Sequence, residues 1–548
     1  MALRPRDFEQ IPEDTARVAR AAFPKGNPYL TLRDELGTLY NDEAFAALFV
    51  SPRGRPAESP GRVALVTALE FAENLSDRQA ADAARGRIDW KYLLGLELTD
   101  PGFDYSVLSE FRQRVLEGGA ERQLLDAVLQ RLKERGLIRE RGRQRTDSTY
   151  VLAAIRELNR LECMGETLRH ALNSLAVVVP EWLRAQVAPE WFDRYGPRCE
   201  QYRLPKGKEE RAVLAEVIGR DGYHLLEAVY GASAPAWLSE VPAVETLRQV
   251  WLQQYYREGD LVRWRAANEL PPGKQMIQSP YDVEARYSHR RSVEWTGYKV
   301  HLSETCEDDL PMLITNVETT PSTTPDVSMT ETIHEHLQEK GLLPGEHLLD
   351  AGYVDAQGLV ESEQQGIELI GPVQSDSSWQ AQAGQGFDVA CFAIDWEAQR
   401  VTCPQGRHSV IWSAGEDEYG HPVIDVRFAK QECLACSQRA QCTHSPDRPR
   451  SLKLHPKEQH LALQRARQRQ TTAEFKERYA RRAGMEGTVS QGTRECGLRR
   501  TRYIGVAKTH LQHVWTAVAI DLMRLADWFA ETPRAQTRCS RFAALASA

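Results

Sequence analysis

The sequence predicts an α/β protein: a mixed sheet with helices on both faces, preceded by an all-α region and interrupted by two insertions. Three observations carry this. Between Trp295 and Val373 short β-rich runs alternate with helical periodicity, as in a sheet covered by helices. Before Arg145 the apolar residues recur at helical spacing. From 374 to about 451 four grouped cysteines stand among short β-like runs, a texture unlike either neighbour.

The elements follow in order. In "SPGRVALVTALEFAENLSDRQAADAARG" the spacing of Leu65, Leu69 and Ala72 predicts a helix, and Ser76 with Gln79 forms a capping box that opens a second. The pair fits a helix-turn-helix or two members of a bundle equally well. "TDSTYVL", from Thr146 to Leu152, predicts a strand carrying Asp147. About a hundred mostly helical residues follow, ending at the turn "ELPPGK". "WTGYKVHLSE" and "LPMLITNVETT" predict two strands joined by an acidic turn. "DVSMTETIHEHLQEKG" predicts a helix stopped near Gly341, "LPGEHLLDAGY" a buried strand ending at Asp350, "AQGLVESEQQG" a helix and "IELIGPV" a strand. A long basic helix is expected from about Pro456 to Met485. The apolar-periodic "THLQHVWTAVAIDLMRLADWFA" closes the core, with Val514, Val518, Asp521 and Leu525 along one row.

These shifts of texture divide the chain. Residues 1–145 form the helical N-terminal part, and 146–373 the first part of a core with a helical insertion at about 155–270. Residues 374–451 form the cysteine-containing insertion, 452–530 the second part of the core, and 531–548 a tail expected to be disordered.

At 548 residues the chain is too long for one compact core. Its 42% hydrophobic and 27% charged content reads as globular, and no stretch approaches a membrane span. The N-terminal sequence has no apolar export core, so a cytoplasmic location is expected. The net charge of −8 argues against a uniformly basic coat. "RLKERGLIRERGRQR" and the stretch from Gln464 to Lys508 are nevertheless strongly basic, as suits a localised polyanion track or a solvated helix face.

Three acids sit where the elements can bring them together: Asp147 and Asp350 on strands, and Glu486 on a helix. Converging carboxylates repel one another unless a cation neutralises them. Such a set suits two Mg²⁺ or Mn²⁺ ions about 4 Å apart, positioned for in-line attack at a phosphodiester. On one continuous helix, Tyr479, Arg482 and Glu486 at i, i+3 and i+7 share a face. Arg482 can then hold a phosphate or orient the acid while the flanking arginines follow a nucleic-acid backbone.

These residues carry a family resemblance. "YARRAGMEGTVSQGTR" resembles the Tyr, Arg, Glu, Lys signature of bacterial insertion-sequence transposases of the Asp-Asp-Glu (DDE) type, with Thr493 standing where the signature has lysine. "LLDAGY" and "RTDSTYV" resemble the two Asp strands of that family, "SPYDVEARYSHRRSVEWTGYKVHL" the approach to its second strand, and "GLRRTRYIGVAKTHLQHV" its closing basic segment. The resemblance implies a ribonuclease-H-like core with Asp147, Asp350 and Glu486 as catalytic metal ligands. It also implies DNA contacts from Tyr479, Arg482, Arg494, Arg499, Arg500, Arg502 and Lys508, with Arg494 or Lys508 supplying the missing cation. The implied partners are double-stranded element ends and target DNA, bound by a homodimer. A nuclease that does not rejoin DNA, and a non-catalytic DNA-binding derivative, are the alternatives.

Cys433, Cys436 and Cys442, with Cys403 upstream, form a knuckle-like pattern that suits a structural Zn²⁺. His408 or His444 could replace one cysteine, and free thiols are the competing reading.

Overall fold

The computed structural model describes residues 3–5, 8–49, 54 and 56–533. The expected tail lies outside the described residues from 534 onward.

Six strands form the central sheet: β1 (Arg143–Leu152), β2 (Arg286–Arg290), β3 (Val293–Thr305), β4 (Ile314–Pro321), β5 (Glu346–Leu349) and β6 (Glu368–Ile370). Their order is β2-β3-β1-β5-β6, with β4 also lying along β3. β3 runs antiparallel to β1, while β5 is parallel to both β1 and β6. Antiparallel β4, β3 and β1 followed by parallel β5 and β6 make a ribonuclease-H-like mixed sheet, to which β2 adds a further antiparallel arm. The sequence reading missed β2, which "EARYSHRRSVEW" forms as a hairpin with the start of β3. Its residues are mostly exposed and give no burial pattern.

Side chains alternate along a strand, so β1 addresses two different layers. Odd positions meet the C-terminal segments: Arg145 donates to the Arg481 carbonyl, Asp147 pairs with Arg482, and Arg499 donates to Thr149. Even positions face the other way: Gln144 donates to the Leu342 carbonyl, Thr146 bonds His347, and Ser148 donates to Asp326. Both faces are therefore covered. The helix Met329–Glu339 packs on β4, and Gly341 after it takes a φ of +63° that few side chains tolerate.

The closing helix, Val506–Phe529, explains the N-terminal part. It packs on β4 and also on the helices Pro28–Leu36, Pro60–Ala72 and Glu121–Glu134, so these first helices and the sheet share one core. Pro60–Ala72 is buried nearly all round, as a bundle member is, and the Ser76–Gln79 capping box forms as expected. The helical insertion has its own apolar cluster between Leu161 and Ile277, and it includes a short hairpin, Tyr255–Glu258 with Leu261–Trp264. The cysteine-containing insertion is built on a three-stranded and a two-stranded sheet around a smaller cluster. Among the described residues no helix is long and apolar enough to cross a membrane.

The basic stretch before Glu486 differs from the expected single helix. It folds as Lys457–Arg469, Ala473–Ala480, a 3₁₀ turn at Arg481–Ala483 and a new helix, Gly484–Glu495. Thr472 caps the second piece, its side chain accepting from the Phe475 amide. At Arg481 the carbonyl is taken by Arg145 from the sheet, and the chain tightens there from α to 3₁₀.

Candidate active site

β1 and β5 are parallel neighbours whose register ends at Thr146 opposite Leu349. The next residue on each is an acid, so Asp147 and Asp350 lie side by side. Each uses one oxygen to fix itself. Asp147 Oδ1 accepts from the Ser148 amide at 2.8 Å, and Asp350 Oδ1 caps the following 3₁₀ turn, accepting from the Ala351 amide at 2.7 Å. The other oxygens meet one guanidinium: Arg482 Nη2 stands 2.5 Å from Asp147 Oδ2 and 3.8 Å from Asp350 Oδ2. Arg290, on β2, reaches the same Asp350 oxygen at 3.2 Å.

Burial pushes the Asp147 carboxyl above its ordinary value, and Arg482 only partly offsets this. Arg482 also keeps a donor in hand, since its Nε is buried with no partner among the described residues.

Glu486 is placed differently. It lies in the first turn of Gly484–Glu495, exposed, four residues beyond Arg482, with no hydrogen bond or ion pair among the described residues. No three His, Cys, Asp or Glu side chains among the described residues stand together as a metal cage. The structure therefore joins Asp147, Asp350 and Arg482, and does not bring Glu486 into contact with them, leaving it on the following helix.

A buried network sets where that helix begins. Arg145 and Glu304 are cross-strand partners on β1 and β3, paired at 2.6 Å on the same sheet face as Asp147. Glu304 also accepts from Thr488 at 2.6 Å and from Arg524 of the closing helix at 2.8 Å. Burial opposes charge on Glu304, but Arg524, Arg145 and the Thr488 hydroxyl outweigh it and hold the carboxyl below its ordinary range. Sequence reasoning missed Arg145, Arg290, Glu304, Thr488 and Arg524. The period-two spacing of Arg145 and Asp147 was the available signal for the first of them.

The remaining candidates divide. Tyr479 stacks on Phe475, with centroids 5.6 Å apart and 11° between the planes. Arg499 lies over the Tyr150 ring, and Arg500 and Lys508 are exposed. Arg494 is exposed and, among the described residues, donates to its own helix at the Ser490 carbonyl. Thr493, at the signature's lysine position, turns its hydroxyl back to the Val489 carbonyl. Arg502 is held within the protein: it pairs with Glu70 at 3.0 Å and donates to Asn74 at 2.7 Å, tying the segment to the first helices.

Residues 402–526 match the family model described as "Transposase DDE domain", and residues 17–114 match "Transposase domain (DUF772)". Together the two matches support a bacterial insertion-sequence transposase of the DDE type. The first match takes in Arg482, Glu486 and most of the closing helix, and the second takes in the buried helix Pro60–Ala72. No curated protein and no solved structure matches the transposase.

Proposed function

We propose that this transposase binds the ends of its own insertion element, cleaves phosphodiester bonds there and transfers the resulting 3′ ends to target DNA. The observation that carries this is the pairing of Asp147 and Asp350 on adjacent parallel strands, with Arg482 between them and Glu486 one turn on.

The acids fit a divalent cation. Two oxygen-only side chains converge where positive charge is already required, and exposed Glu486 supplies a third on a neighbouring helix. Asp147, Asp350 and Glu486 would hold Mg²⁺ or Mn²⁺, which when bound would activate the attacking oxygen and stabilise the leaving one. The protein's own part is positioning. The backbone bonds at Ser148 and Ala351 fix both aspartates, and the Arg145–Glu304–Arg524 network fixes the start of the Glu486 helix. Arg482, whose side chain remains partly accessible, suits a DNA phosphate as a further acceptor. Exposed Arg494, Arg500 and Lys508 follow in the same stretch and suit contacts along the DNA backbone. Cutting two ends in one event suits a homodimer assembled on DNA.

The test is excision from a plasmid carrying the gene's native flanking DNA, in Mg²⁺, with Glu486→Gln beside the wild type. Excision and a strand-transfer product from the wild type alone are expected. Cleaved ends with no joined product would favour a nuclease. DNA binding with no cleavage by either protein would favour a non-catalytic derivative.

A further inference from the structure

We propose that Cys403, Cys433, Cys436 and Cys442 bind one structural zinc ion through four thiolates.

Cys403 lies well upstream of Cys433, Cys436 and Cys442 in sequence, yet all four line a single pocket. Cys403 comes from the turn after the strand Arg400–Thr402, Cys433 and Cys436 from the end of the helix Lys430–Leu434, and Cys442 from the end of Arg439–Cys442. They are free thiols, and neither His408 nor His444 lines the pocket with them. His408 bonds Thr402 at 3.0 Å, and His444 stacks on Trp379 with centroids 4.0 Å apart. Four sulfur donors suit a tetrahedral, borderline-soft cation, and zinc is the common one. As the side chains lie, no three stand at metal-binding spacing among the described residues. Each cysteine χ1 has three staggered wells, however, and changing wells moves the sulfur without moving the backbone.

Charge and hydrogen bonding point the same way. Zinc with four thiolates carries a net charge of about −2, which a half-buried site must partly balance. Arg407, Arg439 and Arg450 line the same pocket. The Nε atoms of Arg439 and Arg450 are buried without partners among the described residues, leaving donors that thiolate sulfurs can satisfy. The Arg407 amide already donates to Cys403 Sγ at 3.4 Å, in a tight turn closed by the Gly406 amide on the Cys403 carbonyl at 2.8 Å.

The insertion also needs a staple. Its fully buried apolar cluster is only Phe392, Val401, Val426, Phe428, Leu452 and Leu454, with Cys403, Cys433 and Cys442 packed at its edge. A core this small is marginal, and a bound metal is one way such a fold gains folding energy. Binding releases the thiol protons to solvent, with no change in oxidation state.

The experiment is elemental analysis of the full chain, purified without chelator or polyhistidine tag. One zinc per chain is expected, falling sharply in Cys433→Ser and Cys436→Ser and unchanged in Cys391→Ser, an exposed cysteine outside the pocket. Should the serine variants fail to fold, wild-type chain grown with Co²⁺ should show sulfur-to-metal charge-transfer absorption, and a strong chelator should expose four further reactive thiols. Folded wild-type chain without zinc, or zinc retained at full stoichiometry in both serine variants, overturns the assignment. Neither readout depends on DNA cleavage.

Discussion

Gly484 lies directly against Arg145: a Cβ built on the glycine falls 2.0 Å from Arg145 Nη1 and 2.5 Å from Cζ. The backbone of the Glu486 helix can approach the sheet only because this residue has no side chain, and the approach lets Arg145 hold the Arg481 carbonyl.

Gly484→Ala therefore sets two effects against each other. Helix propensity favours alanine by about 1 kcal/mol. Displacing a guanidinium that is buried and paired with Glu304 costs about 1–3 kcal/mol as overpacking, and the Arg481 carbonyl loses its donor. Net destabilisation is expected, visible as a lower urea midpoint with an unchanged slope, together with reduced cleavage. A higher midpoint would mean that Arg145 yields freely and does not set the helix start.

Glu304→Gln should be more damaging, because Glu304 is fully buried and faces both Arg145 and Arg524. Removing one member of a buried ionic group leaves the others uncompensated, at about 3–5 kcal/mol. The wild-type carboxyl is held below its ordinary value. Its contribution is thus present above the unfolded-state pKa and lost as pH falls through the folded one. The stability gap between wild type and variant should be wide at pH 7 and close in acid. A gap independent of pH would assign the loss to packing alone.

Asp147→Asn should do the opposite. Burial raises the Asp147 carboxyl above its ordinary value despite Arg482, so the ionised form costs stability in the folded chain. The favourable term is complete below the unfolded-state pKa, about 4 for an aspartate, and is lost as pH rises through the higher folded value. Asparagine removes that loss. The variant should melt above the wild type at pH 7 and converge with it in acid, while cleavage is abolished. Equal melting temperatures throughout would mean that the Arg482 pair fully offsets the burial.

Much of this was legible in the sequence. β1, β3, β4, β5 and β6 announce themselves through β-branched and apolar runs between turn signals, and the two aspartates through their place at strand positions that parallel pairing brings level. Three things were hidden. β2 is an exposed hairpin arm without alternation. The break at Arg481 depends on an arginine 336 residues earlier in the chain. The fate of Arg502 depends on Glu70, across the shared core. Local pattern predicts elements, whereas contacts between distant segments decide which charges are spent inside the protein.

Arg482→Ala separates the two roles open to that side chain. In the structure its guanidinium sits between Asp147 and Asp350, and its loss leaves two carboxylates facing each other, so at least one should take up a proton more readily. If Arg482 also holds a DNA phosphate, its loss releases one fewer counterion on binding, and the slope of log affinity against log salt should fall by about 0.9. Arg482→Lys keeps the charge without the planar fork. It should restore most of the salt slope but little of the cleavage, because one ammonium cannot serve two carboxylates and a phosphate in that geometry. Fluorescence anisotropy with element-end DNA across a salt series checks this directly. An alanine variant with the wild-type slope would confine Arg482 to the two aspartates.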